Sequence, residues 1–399
     1  MKIALVRARY NPFGGAERFA ARALAALAGD TQSATADITV IARRWHDIET
    51  TDRQKDASTA VRFVRCDPFY IGGVWRDASF ASAVRRCVRD ERFDLVQSHE
   101  RIAGLPLYRA GDGVHASWLE RRKRAGTAAT RLDIALNPHH HYLLRVERAM
   151  FEHPALRAVI CNSEMVRQEI AERFAIDRNK LVLIRNGVDL ERFRPDAQAM
   201  HRDAMRLQRK IVDDAFVFVM VGSGFERKGV SLALRALCDC DDAVLVIVGE
   251  DKHRPRYEAE AARLGVEARV RFVGPVADPL PYYAMADCFL MPTLYDPFPN
   301  AALEAMACGL PIITTDACGM AELIEEDKNG WVIPSGDVEA LETAMLIAIR
   351  VDRDGRATMR VAARRTAEPL SLTALSTALL ALYRRLLDGA GERAPSLPT

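Results

Sequence analysis

Two stretches of the 399-residue chain combine residue types and spacings that could do chemistry. The first is Met291 to Pro311, MPTLYDPFPNAALEAMACGLP, in which Asp296 and Glu304 stand eight positions apart. An apolar run from Cys288 to Met291 precedes it, and the Ala, Leu and Met content from Asn300 to Cys308 favours helix, so the stretch reads as strand, loop, helix. A helix starting near Asn300 and Ala301 directs free N–H groups and the positive end of its dipole into that loop, which suits a phosphate. Glu304, one turn in, can accept hydrogen bonds from sugar hydroxyls, and Gly309 with Pro311 stops the helix.

The second stretch is the loop Gly222-Ser223-Gly224-Phe225-Glu226-Arg227-Lys228-Gly229, between an apolar strand and a helix. Gly222-x-Gly224, followed by Glu250 after the next strand, imitates a dinucleotide fingerprint, but Arg227 occupies the place of the third glycine. Two adjacent cations at a helix start suit a diphosphate that carries a sugar, because they neutralise charge on a departing nucleotide. Hydride transfer calls for no such pair.

Weaker signals lie nearer the start. Asn11 to Gly15 is a turn between an apolar strand, Lys2 to Arg7, and a helix with Phe19, Ala23, Leu24 and Leu27 on one face; Gly14 and Gly15 permit close backbone approach to a ligand. Asp112 and His115 follow a short strand in a glycine-rich loop, where they can contact a substrate or stand as solvated loop residues. Arg121 to Arg124, with Trp118 and Leu119 before and Arg131 after, reads either as a contact for an anionic membrane surface with an apolar foothold or as a solvated helix face. His139 to His141 reads as surface loop, too closely spaced for helix-spaced metal ligands. Asp239-Cys240-Asp241 precedes a strand instead of following one, and there is no Gly-x-Ser-x-Gly, Walker loop or His-Glu-x-x-His, so no metal is expected.

The elements that must position these residues alternate between strand and helix. Candidate strands at 38–42, 61–64, 93–97, 158–161 and 181–184 give way to a charged, weakly patterned segment, Arg192 to Arg209. The rhythm then restarts at 216–221, 243–248, 270–273, 288–291, 311–314 and 331–333. The pattern predicts an α/β chain with a parallel, doubly wound sheet in each half: a first domain over 1–190 and a second over 191–370. Leu372, Leu375, Leu379, Leu382 and Leu386 share a face of a docked terminal helix, 371–388, and 389–399 reads as a flexible tail.

The net charge of +2 hides an asymmetry: Met1 to Leu190 holds 31 Lys+Arg against 23 Asp+Glu, and the remainder 25 against 31. The basic half is compatible with nucleic acid, an anionic membrane surface or a phosphorylated acceptor, and equally with an arginine-preferring composition. No apolar stretch reaches membrane-span length and the first residues carry arginines, which predicts a cytoplasmic protein. The eight cysteines are scattered in a pattern of bystander thiols.

Gly14-Gly15-x-Glu17, Asn186-Gly187-Val188-Asp189 with Phe193 and Pro195, Val221-Gly222 with Lys228-Gly229, Val248-Gly249-Glu250, and Asp296-x7-Glu304-Ala-x-Ala-x-Gly309-x-Pro311 together resemble the retaining glycosyltransferases of family 4. The resemblance runs over nearly the whole chain. It implies the GT-B fold, two facing Rossmann-like domains with a deep cleft, and transfer of a hexose from a nucleotide diphosphate sugar without metal or other cofactor. A narrower similarity, through Tyr10 to Gly15 and Val221 to Gly229, is to glucosyltransferases of the lipopolysaccharide inner core, which implies UDP, glucose and a glycolipid acceptor.

Attached to positions, the resemblance has Lys228 and Arg227 holding the diphosphate, completed by Gly15, Ser223, Asn300 and Ala301. It has Glu304 on the ribose, Phe272 and Val273 at the base, Asp296 facing the donor sugar, and Glu17, Asp112 and His115 binding the acceptor. Nucleic acid is not an expected partner. Two positions depart from the pattern: Ser223 stands where the family has Arg, and Asp296 where it more often has Glu. The competing readings are an NAD(P)-dependent oxidoreductase, which shares the sheet topology, and a sugar-nucleotide binding protein without catalysis.

Overall fold

The computed structural model describes residues 2–10, 37–45 and 61–388. It divides into two compact units, Met1–Arg185 with Leu372–Thr399, and Asn186–Ser371. In the first unit, seven strands lie in the order β3-β2-β1-β4-β5-β6-β7. They are β1 (Lys2–Tyr10), β2 (Asp37–Trp45), β3 (Val61–Arg65), β4 (Leu95–Ser98), β5 (Leu107–Arg109), β6 (Ala158–Cys161) and β7 (Leu181–Leu183), paired in parallel throughout. Helix α1 (Gly72–Glu91) crosses from β3 to β4.

Between β5 and β6 the chain forms α2 (His115–Ala125), α3 (Ala128–Leu136) and α4 (Pro138–Phe151), followed after β6 by α5 (Glu164–Arg173). The His139 to His141 run therefore opens a helix and is not a loop. Asn137 caps α4 by accepting the His139 N–H, and Pro138 at the first helical position is preset for helix.

The second unit carries a six-stranded parallel sheet in the order β10-β9-β8-β11-β12-β13. It opens with α6 (Ala197–Gln208), in the segment that reads as an unpatterned boundary. What the apolar pattern lacks, buried arginine supplies: Arg206 donates to Asp287 (2.8 Å) and to the carbonyls of Met285, Asp213 and Ala215, while Asp287 also accepts the Val217 N–H. Paired in this way, a buried guanidinium anchors a helix as well as an apolar stripe does. The division between units also falls earlier than residue 190, because Asn186 and Val188 bond within the second unit, to Asn300 and Leu370.

Next come β8 (Phe216–Val221), the single turn α7 (Phe225–Lys228), α8 (Val230–Ala236), β9 (Ala243–Val248), α9 (Arg254–Arg263) and β10 (Val270–Gly274). They are followed by α10 (Leu280–Met285), β11 (Cys288–Met291), α11 (Asn300–Ala307), β12 (Ile312–Thr315), β13 (Gly330–Ile333), α12 (Val338–Arg350) and α13 (Arg353–Ala367). Apolar clusters cover both faces of the sheet, as a parallel sheet requires.

The last helix, α14 (Leu372–Asp388), belongs to the first unit. Its Leu375, Leu379, Leu382, Tyr383 and Leu386 pack on Ile3, Leu5, Ile38, Leu95 and Ile160 of that sheet. The Tyr383 hydroxyl donates to Gln97 on β4 (2.6 Å), which fixes the helix register with a polar contact in an apolar layer.

Glycine geometry sets the closest approach in the second unit. Gly229 has φ of 75°, and a Cβ there would sit 1.9 Å from the Pro292 carbonyl oxygen. Gly224 has φ of 79° with nothing within 4 Å. Gly224→Ala should cost only the left-handed penalty, about 1 kcal/mol, while Gly229→Ala adds a backbone clash and should cost about 3 kcal/mol or more. Urea unfolding of the two variants checks the difference, and equal losses would contradict the packing described.

Candidate active site

In the second sheet the chain runs outward from β8 through β9 to β10, then returns to β11 beside β8 and runs the other way. The crevice at such a reversal, outside the carboxyl ends of the strands, is where open α/β sheets hold ligands. The loops leaving β8 and β11 there are the two stretches whose chemistry the sequence singles out.

Several glycines bring those strand ends together. The Gly222 N–H donates to Val248 and the Gly249 N–H to Gly274, at 2.8 and 2.9 Å. A Cβ on Gly249 would meet the Gly222 oxygen at 2.3 Å, and one on Gly222 would meet Lys228 Cε at 3.0 Å. The missing side chain at Gly222 is therefore the space in which Lys228 lies. Asp251 fixes the turn by accepting the Phe225 N–H (2.8 Å), and the Phe225 ring is buried against Tyr257 and Phe272.

Asp296, Arg227 and Lys228 form one charged cluster. Lys228 Nζ donates to Asp296 Oδ2 at 2.6 Å, and an Arg227 terminal nitrogen donates to the same oxygen at 2.8 Å. Asp296 is 5 % exposed and Lys228 7 %. Burial by itself would raise the Asp296 pKa, but Lys228 and Arg227 prevail and hold it below the ordinary 3.8. Burial also lowers the Lys228 pKa, an effect that Asp296 opposes and Arg227 reinforces. The cluster carries one surplus positive charge, and no donor among the described residues reaches Asp296 Oδ1. The backbone of Asp296 is pinned as well, with its N–H on the Ala317 carbonyl and its carbonyl accepting from Gly319.

The remaining donor-side candidates lie around this cluster. Pro299 at the α11 N-cap offers no side-chain acceptor, so the N–H groups of Asn300 and Ala301 stay available at the positive end of the helix. Asn300 Oδ1 accepts from Asn186 (2.6 Å), whose amide also reaches the Phe298 carbonyl. Glu304 is buried and accepts from the Tyr283 hydroxyl at 3.1 Å. Ser223 Oγ accepts the Glu250 N–H, and Phe272 and Val273 precede Gly274 at the end of β10.

Of the first-unit candidates, Gly15 and Glu17 lie outside the described residues. The exposed Asp112 stands 3.8 Å from Arg7, which also reaches Glu100. His115 begins α2; its N–H donates to buried Glu147 (2.8 Å), and its ring nitrogen Nε2 lies 3.2 Å from His140 Nδ1. Burial first, then Arg101 and His140, pull its pKa down to about 3, so the ring is neutral at physiological pH. Arg7, Glu100, Arg101 and Glu147 are polar groups near these candidates that sequence reasoning did not select. The one signal for Glu100 and Arg101 is their position directly after β4.

Leu119 is buried and Trp118 half-buried, so the apolar residues before Arg121 to Arg124 serve the core and do not form an exposed foothold. Arg121 and Arg122 pair with Glu169 and Asp133. Asp239, Cys240 and Asp241 lie at the amino end of β9, and among the described residues no three or more His, Cys, Asp or Glu side chains are grouped so as to hold a metal ion.

The model for Glycosyltransferase Family 4 matches residues 13–192, and that for Glycosyl transferases group 1 matches residues 201–366, so between them they take in most of the chain. The chain belongs to these glycosyltransferases.

Among relatives of the glycosyltransferase, the lipopolysaccharide glucosyltransferase WaaG of Escherichia coli strain K12 is 26 % identical over 338 residues, 84 % of this chain and 85 % of WaaG. A D-inositol 3-phosphate glycosyltransferase of Jonesia denitrificans is 27 % identical over 323 residues, 73 % and 72 % of the two chains. The crystal structure of WaaG superposes with a TM-score of 0.79 at 24 % identity, covering 96 % and 99 % of the two chains. HepE of Anabaena, solved with UDP and glucose, gives 0.71 at 20 % identity over 96 % and 99 %. The fold of the glycosyltransferase is thus GT-B, with two Rossmann-like parallel-sheet domains. Among the described residues no helix is long and apolar enough to cross a membrane.

Because the folded pKa of Asp296 is depressed, its stabilising contribution is present above the ordinary carboxylate range and is lost as pH falls through the folded value. Asp296→Asn leaves two cations uncompensated and should cost about 3 kcal/mol at pH 7. The deficit should begin to shrink as pH falls below about 4, the ordinary carboxylate value, and go on shrinking toward the lower folded value at which wild-type Asp296 is itself protonated. Denaturant titrations across pH measure this, and a deficit independent of pH would refute the ion-pair account.

Proposed function

We propose that this glycosyltransferase moves a hexose, glucose, from UDP-glucose to a hydroxyl of a glycolipid of the lipopolysaccharide inner-core type, with retention of anomeric configuration and without a metal. The observation that carries the reading is the pair of cations held on one carboxylate oxygen at the sheet's reversal point. Lys228 and Arg227 are placed to pass from Asp296 to the donor diphosphate, supplying charge neutralisation for the leaving nucleotide. Asn300 and Ala301 N–H groups and Ser223 complete the diphosphate cradle, with Gly15 as a further candidate; Glu304 takes the ribose, and Phe272 with Val273 the base.

Asp296, relieved of its cations, accepts from a sugar hydroxyl. As the glycosidic C–O bond to the diphosphate breaks, the acceptor oxygen attacks the same face of the anomeric carbon, and its proton passes to a phosphate oxygen of the leaving nucleotide. The transition state is oxocarbenium-like, so positioning and electrostatics are the protein's main contributions. Glu17, Asp112 and His115 are the acceptor candidates, His115 as a neutral hydrogen-bonding group.

The names of WaaG and of the HepE complex support the sugar, the nucleotide and the acceptor class. We infer from such an acceptor a cytoplasmic enzyme in peripheral contact with the anionic inner membrane surface, through Lys123 and Arg124 as the exposed members of the Arg121 to Arg124 cluster. A nicotinamide dinucleotide is disfavoured because Arg227 fills the position that close helix packing reserves for glycine.

Lys228→Ala should lower kcat/KM for UDP-glucose about 100-fold or more, the scale expected for a group acting on developing charge. Proton NMR of the product, formed in the presence of EDTA, should show the donor's anomeric configuration. Unchanged kinetics in the variant, an inverted product or a requirement for metal would overturn the corresponding part of the proposal.

A further inference from the structure

The carboxyl end of β10 presents a planar cation that the chemistry above does not use. Arg254, the first residue of α9, has its guanidinium carbon 5.6 Å from the centroid of the Phe272 ring. Nη2 donates to the Phe272 carbonyl at 3.1 Å, and Nε donates to Glu258 at 2.7 Å. The Phe225 ring centroid lies 6.3 Å from that of Phe272, and the Gly249 N–H holds the Gly274 carbonyl at 2.9 Å.

Gly274 has φ of 91°, and a Cβ on it would come within 3.9 Å of Arg254 Nη1. The Arg254 side chain keeps 37 % of its surface exposed. A guanidinium carries about five N–H donors and no acceptor. Two of them are used, which leaves the others without a protein partner among the described residues.

We propose, on the reading that this end of the sheet receives the nucleobase, that Arg254 is the base-reading residue and selects bases with an exposed oxo group, uracil, thymine or guanine, over adenine. The chemistry is one of donors and acceptors. An oxo oxygen accepts from the unused N–H groups, in guanine together with N7, whereas the 6-amino group of adenine is a donor and opposes a group that can only donate. The flat guanidinium already lies over Phe272, so a base stacked beside it meets a preorganised plane. If Arg254 merely pins α9 to β10, its loss weakens every nucleotide alike; if it reads the base, its loss changes the ratio between them.

Isothermal titration of the full-length chain with UDP, GDP and ADP separates the two. The wild type should bind UDP or GDP at least tenfold more tightly than ADP. Arg254→Ala should bring that ratio close to one by weakening the oxo-base nucleotide, with ADP affinity within twofold of its starting value. Arg254→Lys, which keeps a charge over Phe272 but loses the fork, should also lose most of the ratio. No preference in the wild type, an unchanged ratio in Arg254→Ala, or equal weakening of all three nucleotides would overturn the assignment. Lys228→Ala identifies which reading has failed. If Lys228→Ala abolishes binding while Arg254→Ala leaves the ratio intact, only the base assignment falls; if no diphosphate binds the wild type, or Lys228→Ala changes nothing, the donor site falls with it.

Discussion

The second unit depends on one carboxylate oxygen. Asp296 Oδ2 receives both Lys228 and Arg227, and with Lys228 and Asp296 nearly sealed from solvent neither charge is tolerable alone. A buried ion pair seldom adds net stability over an apolar isostere, so its retention points to a use for the charges. Here the use follows from the surplus. Two cations on one anion leave a net positive charge at the crevice, which suits an anionic ligand.

Much of the surrounding backbone follows from making that cluster possible. Lys228 can fold back over Gly222 only because Gly222 has no side chain, and Gly249 lets β9 press against the same turn. Gly229 is needed for a different reason, since the chain there passes against the Pro292 carbonyl and links the β8 loop to the β11 loop. The contacts of Gly229 and Gly249 join positions far apart in sequence, so a side chain at either would displace backbone on two segments at once.

How far the sequence discloses all this varies with the kind of residue. The loop at Gly222 to Gly229 and the spacing of Asp296 and Glu304 are legible because glycine, paired cations and spaced carboxylates in a strand–loop–helix context have few structural uses. The pairing of Lys228 with Asp296 is not, since it spans 68 positions and either residue alone suits a ligand contact equally well. Helices α2 to α4 and α6 escape a periodicity reading for a related reason. Their anchors include Glu147, buried and bonded to Arg101 and the His115 N–H, and Arg206, buried among carbonyls and Asp287. A charged residue in the interior looks in sequence like a charged residue on the surface, so the pattern fades where polar groups do the packing. His139 to His141 misled through spacing alone, because the Asn137-Pro138 cap that starts a helix precedes the run.

The two departures from the family pattern make sense together. With Ser223 in place of arginine, one cation is missing from the β8 side of the loop, and Arg227 supplies a charge from the far side, close to the β11 loop. Asp296 is a methylene shorter than glutamate, so the cations must come to it. The backbone is built for that: the Arg227 carbonyl accepts both the Leu294 N–H (2.9 Å) and Thr293 Oγ (2.7 Å), while its guanidinium reaches the Tyr295 carbonyl and Asp296. Arg227 is thus bonded to the β11 loop at both ends. On the proposed reading, a ligand that takes over the two cations exchanges charge partners while these backbone bonds stay in place, so that only the side-chain ends move. Arg227 thereby carries its charge to the shorter acid, and the bonds that join the two loops hold it there.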